Sequence, residues 1–167
     1  MEQTESAAET EMETGAMAGK YLTFVLQGEE YGIGILKVRE INGLMDITPV
    51  PQTPEFVEGV INLRGKVIPV VDLRLKFGMP KADYTKETCI IVVDVNSLLM
   101  GIVVDTVSEV LEVKEEEIDP PPNFGSKVHV DYILGIGKIK DKVKILLDID
   151  KVLTNEEIEL VQQAAGK

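Results

Sequence analysis

Cysteine and histidine are nearly absent: the 167-residue chain holds one of each, Cys89 and His129. One cysteine cannot form an internal disulfide, which suits a reducing compartment. Zinc needs about four convergent Cys, His or acidic ligands, so two such residues do not suggest a metal site. A lone histidine between Val128 and Val130 lacks a partner for acid–base work and is expected to be structural or exposed. Cys89 opens an apolar run and reads as a small hydrophobe. No apolar stretch reaches 18 residues, so no membrane span is expected. The start of the chain lacks the basic and apolar regions of a secretion signal, and a cytoplasmic location follows as the expectation. Nucleotide signatures are missing too. Gly32-x-Gly34 and Gly135-x-Gly137 lack a third glycine and a following long helix, and no phosphate-loop motif occurs. No cofactor and no catalysis are expected.

Basic charge is also scarce. The net charge is −12, and Glu2, Glu5, Glu9, Glu11 and Glu13 lie in a first segment without Lys or Arg. Setting those five aside leaves −7 on the remainder. A phosphate-binding surface needs a basic face, so nucleic acid is not an expected partner. Residues 1–19 show no periodicity that could fill a core and read as a disordered acidic tail.

What the chain does have is β signal. Hydrophobic residues make up 44%, and they fall mostly in short runs bounded by turn residues. Tyr21–Leu26 and Tyr31–Ile33 flank one turn, Cys89–Val95 and Leu99–Asp105 flank Asn96-Ser97, and 132–139 and 143–149 flank Lys140-Asp141-Lys142. Val107–Val113 reads as a further strand. Pro69, inside the run 67–73, is expected at an edge or a bulge because it has no N–H. Helices look few and short. Pro54–Val60 fits one with Thr53 as N-cap, and Leu73–Phe77 fits a turn or two. Thr154-Asn155-Glu156-Glu157 is a capping box opening a C-terminal helix over 155–165, with Ile158, Val161 and Ala165 on one face.

The pattern repeats itself. At an offset of 76, Phe56, Gly59, Val67 and Asp72 meet Tyr132, Gly135, Val143 and Asp148. At an offset of 69, Gly32, Val38 and Glu40 meet Gly101, Val107 and Glu109. Two related small barrels, intertwined and with a pseudo-symmetric groove, are the expected result, spanning about 20–86 and 87–153. The extra residues of the second copy fall in the loop holding Pro120, Pro121 and Pro122.

One cation stands out in this acidic chain. Arg64 lies in Asn62-Leu63-Arg64-Gly65-Lys66, a turn between apolar segments. It reads as an exposed turn residue or as an interaction hot spot, where arginine is enriched. Glu40 could pair with it across the fold. Asp72, Asp105 and Asp148 each end a strand and most simply cap turns, and Glu115–Glu117 reads as a solvated turn.

Gly59–Leu73 (GVINLRGKVIPVVDL) resembles the signature of the CheW family, the coupling proteins of bacterial chemotaxis. Glu30–Glu40, Thr48–Pro51 and Gly101–Leu111 match in the same order, so the resemblance covers nearly all of the chain from Tyr21. It implies an all-β fold with few short helices: two SH3-like five-stranded barrels packed together, plus the C-terminal helix. It implies an adaptor joining transmembrane chemoreceptors to the histidine kinase CheA, monomeric when free, without membrane insertion, recruited to receptor arrays. Carried over by motif, Val38, Glu40, Arg64, Val67, Cys89 and Val107 would face or support the receptor groove. Pro121, Asn123 and Phe124 would touch the regulatory domain of the kinase.

Overall fold

Alternating apolar residues and tight turns fold this chain into two sheets. The computed structural model describes residues 18–121 and 132–165. The acidic segment 1–17, Asn123, Phe124 and His129 lie outside the described residues. The strands are β1 (Gly19–Leu26), β2 (Glu29–Gly34), β3 (Val38–Gly43), β4 (Val57–Leu63), β5 (Lys66–Asp72), β6 (Cys89–Val95), β7 (Leu98–Val104), β8 (Thr106–Val113), β9 (Ile118–Asp119), β10 (Ile133–Ile139) and β11 (Lys142–Leu147). Three helices are short: α1 (Leu73–Lys76), α2 (Ile149–Val152) and α3 (Asn155–Ala164).

One sheet runs β8-β1-β2-β11-β10-β9 and the other β3-β6-β7-β5-β4. Both are mixed. β2 pairs in parallel with β11 and β5 with β7, while the other pairs are antiparallel. The duplication is visible strand by strand, and so is an exchange. β1 and β2 of the first copy share a sheet with β8, β9, β10 and β11 of the second, and β6 and β7 of the second share one with β3, β4 and β5 of the first. Irregularities repeat as well. The register shifts between Val57 and Gly59 in β4 and between Ile133 and Gly135 in β10. Asp72 N donates to Phe56 O at 2.8 Å, and Asp148 N donates to Tyr132 O at 2.7 Å.

The apolar residues form three layers. Between the sheets lie Leu22, Phe24 and Leu26 of β1, Ile91, Val93 and Val95 of β6, and Leu147, Ile149 and Val161. Inside the five-stranded sheet lie Ile61, Ile68, Val70, Ile90 and Val92. Inside the six-stranded sheet lie Tyr21, Val113 and Leu146. β6 is therefore buried on both faces, which explains its nearly unbroken apolar sequence. Each fully buried aliphatic side chain there contributes roughly 1.5–3 kcal/mol of transfer free energy. This is the SH3-like two-barrel arrangement.

Turns obey their local chemistry. Asn96 and Ser97 have φ of 51° and 69°, and Lys140 and Asp141 have 52° and 63°, the left-handed pair that two-residue hairpins require. Asp72 and Asp148 are helix N-caps, accepting from Arg74 N at 2.9 Å and Asp150 N at 3.1 Å. Thr154 and Glu157 form the expected capping box of α3.

Two expectations fail. Pro54–Val60 is not a helix: Val57 N closes a turn on Pro54 O at 2.9 Å, and the chain then enters β4. Pairing with β5 outweighs the local capping signal there. Pro69 lies neither at an edge nor in a bulge, because β5 is an interior strand and Pro69 stands opposite Val60. Val60 turns its N–H and C=O to Thr48, each bond 2.9 Å. The Pro69 nitrogen therefore points away from β4, toward β7, where pairing begins only at Val70. The missing donor falls where no ladder bond is due.

Candidate functional site

β3 and β4 are opposite edges of the five-stranded sheet, yet residues from both ends meet. The β4–β5 turn holds Arg64 at φ 53°, and Asn62 Oδ1 accepts from Gly65 N at 2.7 Å to fix it. From that tip Arg64 forms a two-pronged ion pair with Glu40 on β3; Nη1 donates to Oε1 at 3.3 Å, and Nη2 bonds Oε2. Asn42 Nδ2 donates to Glu40 Oε1 at 3.0 Å. The pair closes the seam of the barrel. Hydrogen bonds from Arg64, then Asn42, hold the Glu40 carboxyl below the usual carboxylate range. The Arg64 side chain remains 73% exposed while Glu40 is 25% exposed, so the guanidinium is anchored but still presents a face to solvent.

Apolar side chains flank this seam. Val67, opposite Asn62 on β5, is 48% exposed and Ile41 on β3 is 44% exposed. Val38 opens β3 opposite Val93 and packs half-buried on the central layer. Cys89 sits at the far end of the same strand pair, opposite Gly43. It too packs on the central layer, and its thiol lies 3.2 Å from Glu87 O. Val107 lies in the other sheet, opposite Phe24. The structure thus brings Glu40 and Arg64 together, with Val38 on the strand of Glu40, Val67 on the strand that follows Arg64, Cys89 at the far end of the β3–β6 pair and Val107 in the other sheet. Pro121 is exposed at the edge of the described residues.

A second polar cluster ties the sheets together. Arg74 donates through Nε to Asp105 Oδ1 at 2.7 Å and through Nη2 to Oδ2 at 2.5 Å. Gln27 N also donates to Asp105, at 2.9 Å. Asp105 therefore does more than cap a turn: it joins the β1–β2 hairpin to α1. Nearby, the Tyr84 hydroxyl is buried, and burial followed by Glu58 pushes its pKa well up. Among the described residues no group of three or more His, Cys, Asp or Glu could hold a metal ion.

Residues 20–157 match the family model described as a CheW-like domain. The chain is 43% identical over 146 residues to the chemotaxis protein CheW of Klebsiella aerogenes, covering 87% of this chain and 88% of that protein. This chain belongs to the CheW family. It is also 38% identical to CheW of Rhizobium meliloti, covering 83% of this chain and 89% of that protein. The solved structure of the scaffolding protein TtCheW from Thermoanaerobacter tengcongensis superposes with a TM-score of 0.76 at 38% identity, covering 84% of this chain and 95% of that one.

The match begins at β1 and ends within α3, so both sheets of the CheW fold lie inside it. Sequence reasoning passed over Ile41 and Asn42. The alternation of β3 could have found both, since it places Glu40 and Asn42 on one face and Ile41 on the other. No described helix is long and apolar enough to cross a membrane.

Proposed function

We propose that the chain is a non-catalytic adaptor that couples transmembrane chemoreceptors to the histidine kinase CheA. In this reading the receptor's cytoplasmic helical tip lies in the groove served by Val38, Glu40, Arg64, Val67, Cys89 and Val107. The kinase regulatory domain docks barrel to barrel near Pro121, Asn123 and Phe124. The protein works in the cytoplasm, at the membrane receptor array.

The observation that carries this reading is the Glu40–Arg64 seam. An arginine held by a carboxylate, largely exposed, beside uncovered aliphatic side chains has the makeup of a protein hot spot. A helix laid into a part-apolar groove is a common recognition mode. Such an adaptor needs no chemistry of its own. It binds two partners and passes on a receptor change as a difference in contact energy. Modest single contacts suffice because many copies act together in an array.

The experiment is reconstitution of receptor and kinase with and without this protein. Receptor-dependent kinase activity is expected to appear only with all three. Kinase activity indifferent to the protein overturns the proposal.

A further inference from the structure

The six-stranded sheet has a matching seam, and it is open. β8 stands where β3 stands in the other sheet, and the β10–β11 hairpin stands where β4–β5 does. At the repeat offsets Glu109 answers to Glu40 and Lys140 to Arg64. The exposed aliphatics repeat as well: Val110 at 50% answers to Ile41, and Val143 at 57% to Val67. Yet Glu109 and Lys140 form no ion pair among the described residues. They line a cleft of about 570 Å³ instead, within the size range of small-molecule sites.

Beside Tyr21, Val113 and Leu146, part of the interior behind this seam is polar where its counterpart is apolar. Where one barrel holds Ile68, Leu99, Val92 and Ile61, the other holds Lys144, Glu30, Thr23 and Gly137. Lys144 is 3% exposed, with Nζ 2.7 Å from Glu30 Oε1. That contact uses one of the three N–H donors of an ammonium.

The walls carry opposite charge. One side holds Glu109 and Glu112 of β8 with Lys114 and Glu117 just beyond, a net −2, and the other holds Lys140, Lys142 and Lys144 of the hairpin with Glu30 against Lys144, a net +2. Among the described residues Glu109, Glu112, Lys140 and Lys142 make no ion pair. A simple anion in the cleft would face the uncompensated carboxylates of Glu109 and Glu112, and a simple cation the uncompensated ammonium groups of Lys140 and Lys142. A molecule bearing both charges would complete each wall, as Arg64 completes Glu40 in the sister seam. We propose that this cleft binds a small zwitterionic molecule, its anionic group on Lys140 and Lys142 and its cationic group on Glu109 and Glu112.

The test uses three matched probes, 6-aminohexanoate, hexanoate and hexylamine, titrated into the full chain and followed by backbone amide NMR shifts. The zwitterion is expected to move the amides of Glu109, Glu112, Lys140 and Lys142 at concentrations where the other two do not. Glu109→Gln and Lys142→Gln are each expected to weaken it about tenfold, the size of one lost charged contact. The same spectra report whether each variant is folded, and the two positions lie on opposite walls. Equal response to hexanoate or hexylamine, no response to any probe, or undiminished binding in both folded variants overturns the proposal.

Discussion

Arg64 reaches from the tip of one edge hairpin to Glu40 on the opposite edge strand, and this ion pair closes the barrel seam. The contact aims a charged side chain more than it holds the fold together, because exposed pairs contribute little to stability. Arg64→Glu is therefore expected to abolish co-sedimentation with receptor while leaving the melting temperature nearly unchanged. The exchanged pair, Arg64→Glu with Glu40→Arg, restores attraction but reverses its direction, and receptor binding is expected to stay lost. A large fall in melting temperature for the single variant would make Arg64 a structural residue.

Gly59 makes a different demand. Its φ is 145°, and a Cβ there would meet Thr48 O at 2.1 Å and Thr48 C at 2.7 Å. Both contacts are backbone atoms of the bridge that Thr48 makes with Val60, so no side chain can swing aside. Gly59→Ala is expected to cost about 3 kcal/mol, combining a strained backbone with a steric clash. Urea denaturation measures it, and a cost under about 1 kcal/mol would mean that the 48–60 bridge yields easily.

Much of this was legible from the chain. Hairpins announced themselves at Asn96-Ser97 and Lys140-Asp141-Lys142, because short polar breaks there separate two apolar β-prone runs. The repeat was legible because matched glycines and aspartates mark matched bulges and caps. Which strands the intertwined barrels exchange was not. An offset says which segments are alike, not which pair, and β2 has the same edge chemistry for either fifth strand. The contact of Glu40 with Arg64 was open for the same reason: 24 residues separate them, and only barrel closure brings them together. The helix expected at Pro54–Val60 failed because capping is worth about 1 kcal/mol, less than the combined pairing and burial that β4 gains.

Acid should loosen one cluster and spare another. Burial pushes the Asp105 carboxyl up, but the Arg74 guanidinium and the Gln27 N–H outweigh it and hold the group below its usual range. A depressed carboxyl contributes stability above the unfolded pKa and loses it as pH falls through the folded one. Asp72 runs the other way, raised first by burial and then by the charge of Glu58. Its contribution is present in acid and lost as pH rises through the carboxylate range. Asparagine also caps helices well. Asp72→Asn is thus expected to raise the urea midpoint at about pH 7 and to match the parent at about pH 3, below both carboxyl pKa values. Asp105→Asn should lower it at about pH 7 and converge with the parent in acid. Midpoint differences that do not change with pH would show that neither carboxyl is linked to folding in this way.

The buried Lys144–Glu30 pair can be judged against its own counterpart. The sister barrel places Ile68 and Leu99 at the matching positions and stays fully apolar there. Removing one member of a buried pair strands the other charge, whereas replacing both with packed apolar residues is often neutral or stabilising. The Glu30 side chain keeps 22% exposure, so the penalty is reduced. Lys144→Ile alone is expected to cost about 2 kcal/mol, and adding Glu30→Leu to recover most of it. A urea double-mutant cycle reads the coupling directly. If the two changes simply add, the charges do not stabilise each other, and Lys144 is held by its aliphatic stem alone. If the double variant is the most stable of the four proteins, this barrel keeps its polar interior at a cost to stability. The open seam beside it is then a feature maintained against the fold's own preference.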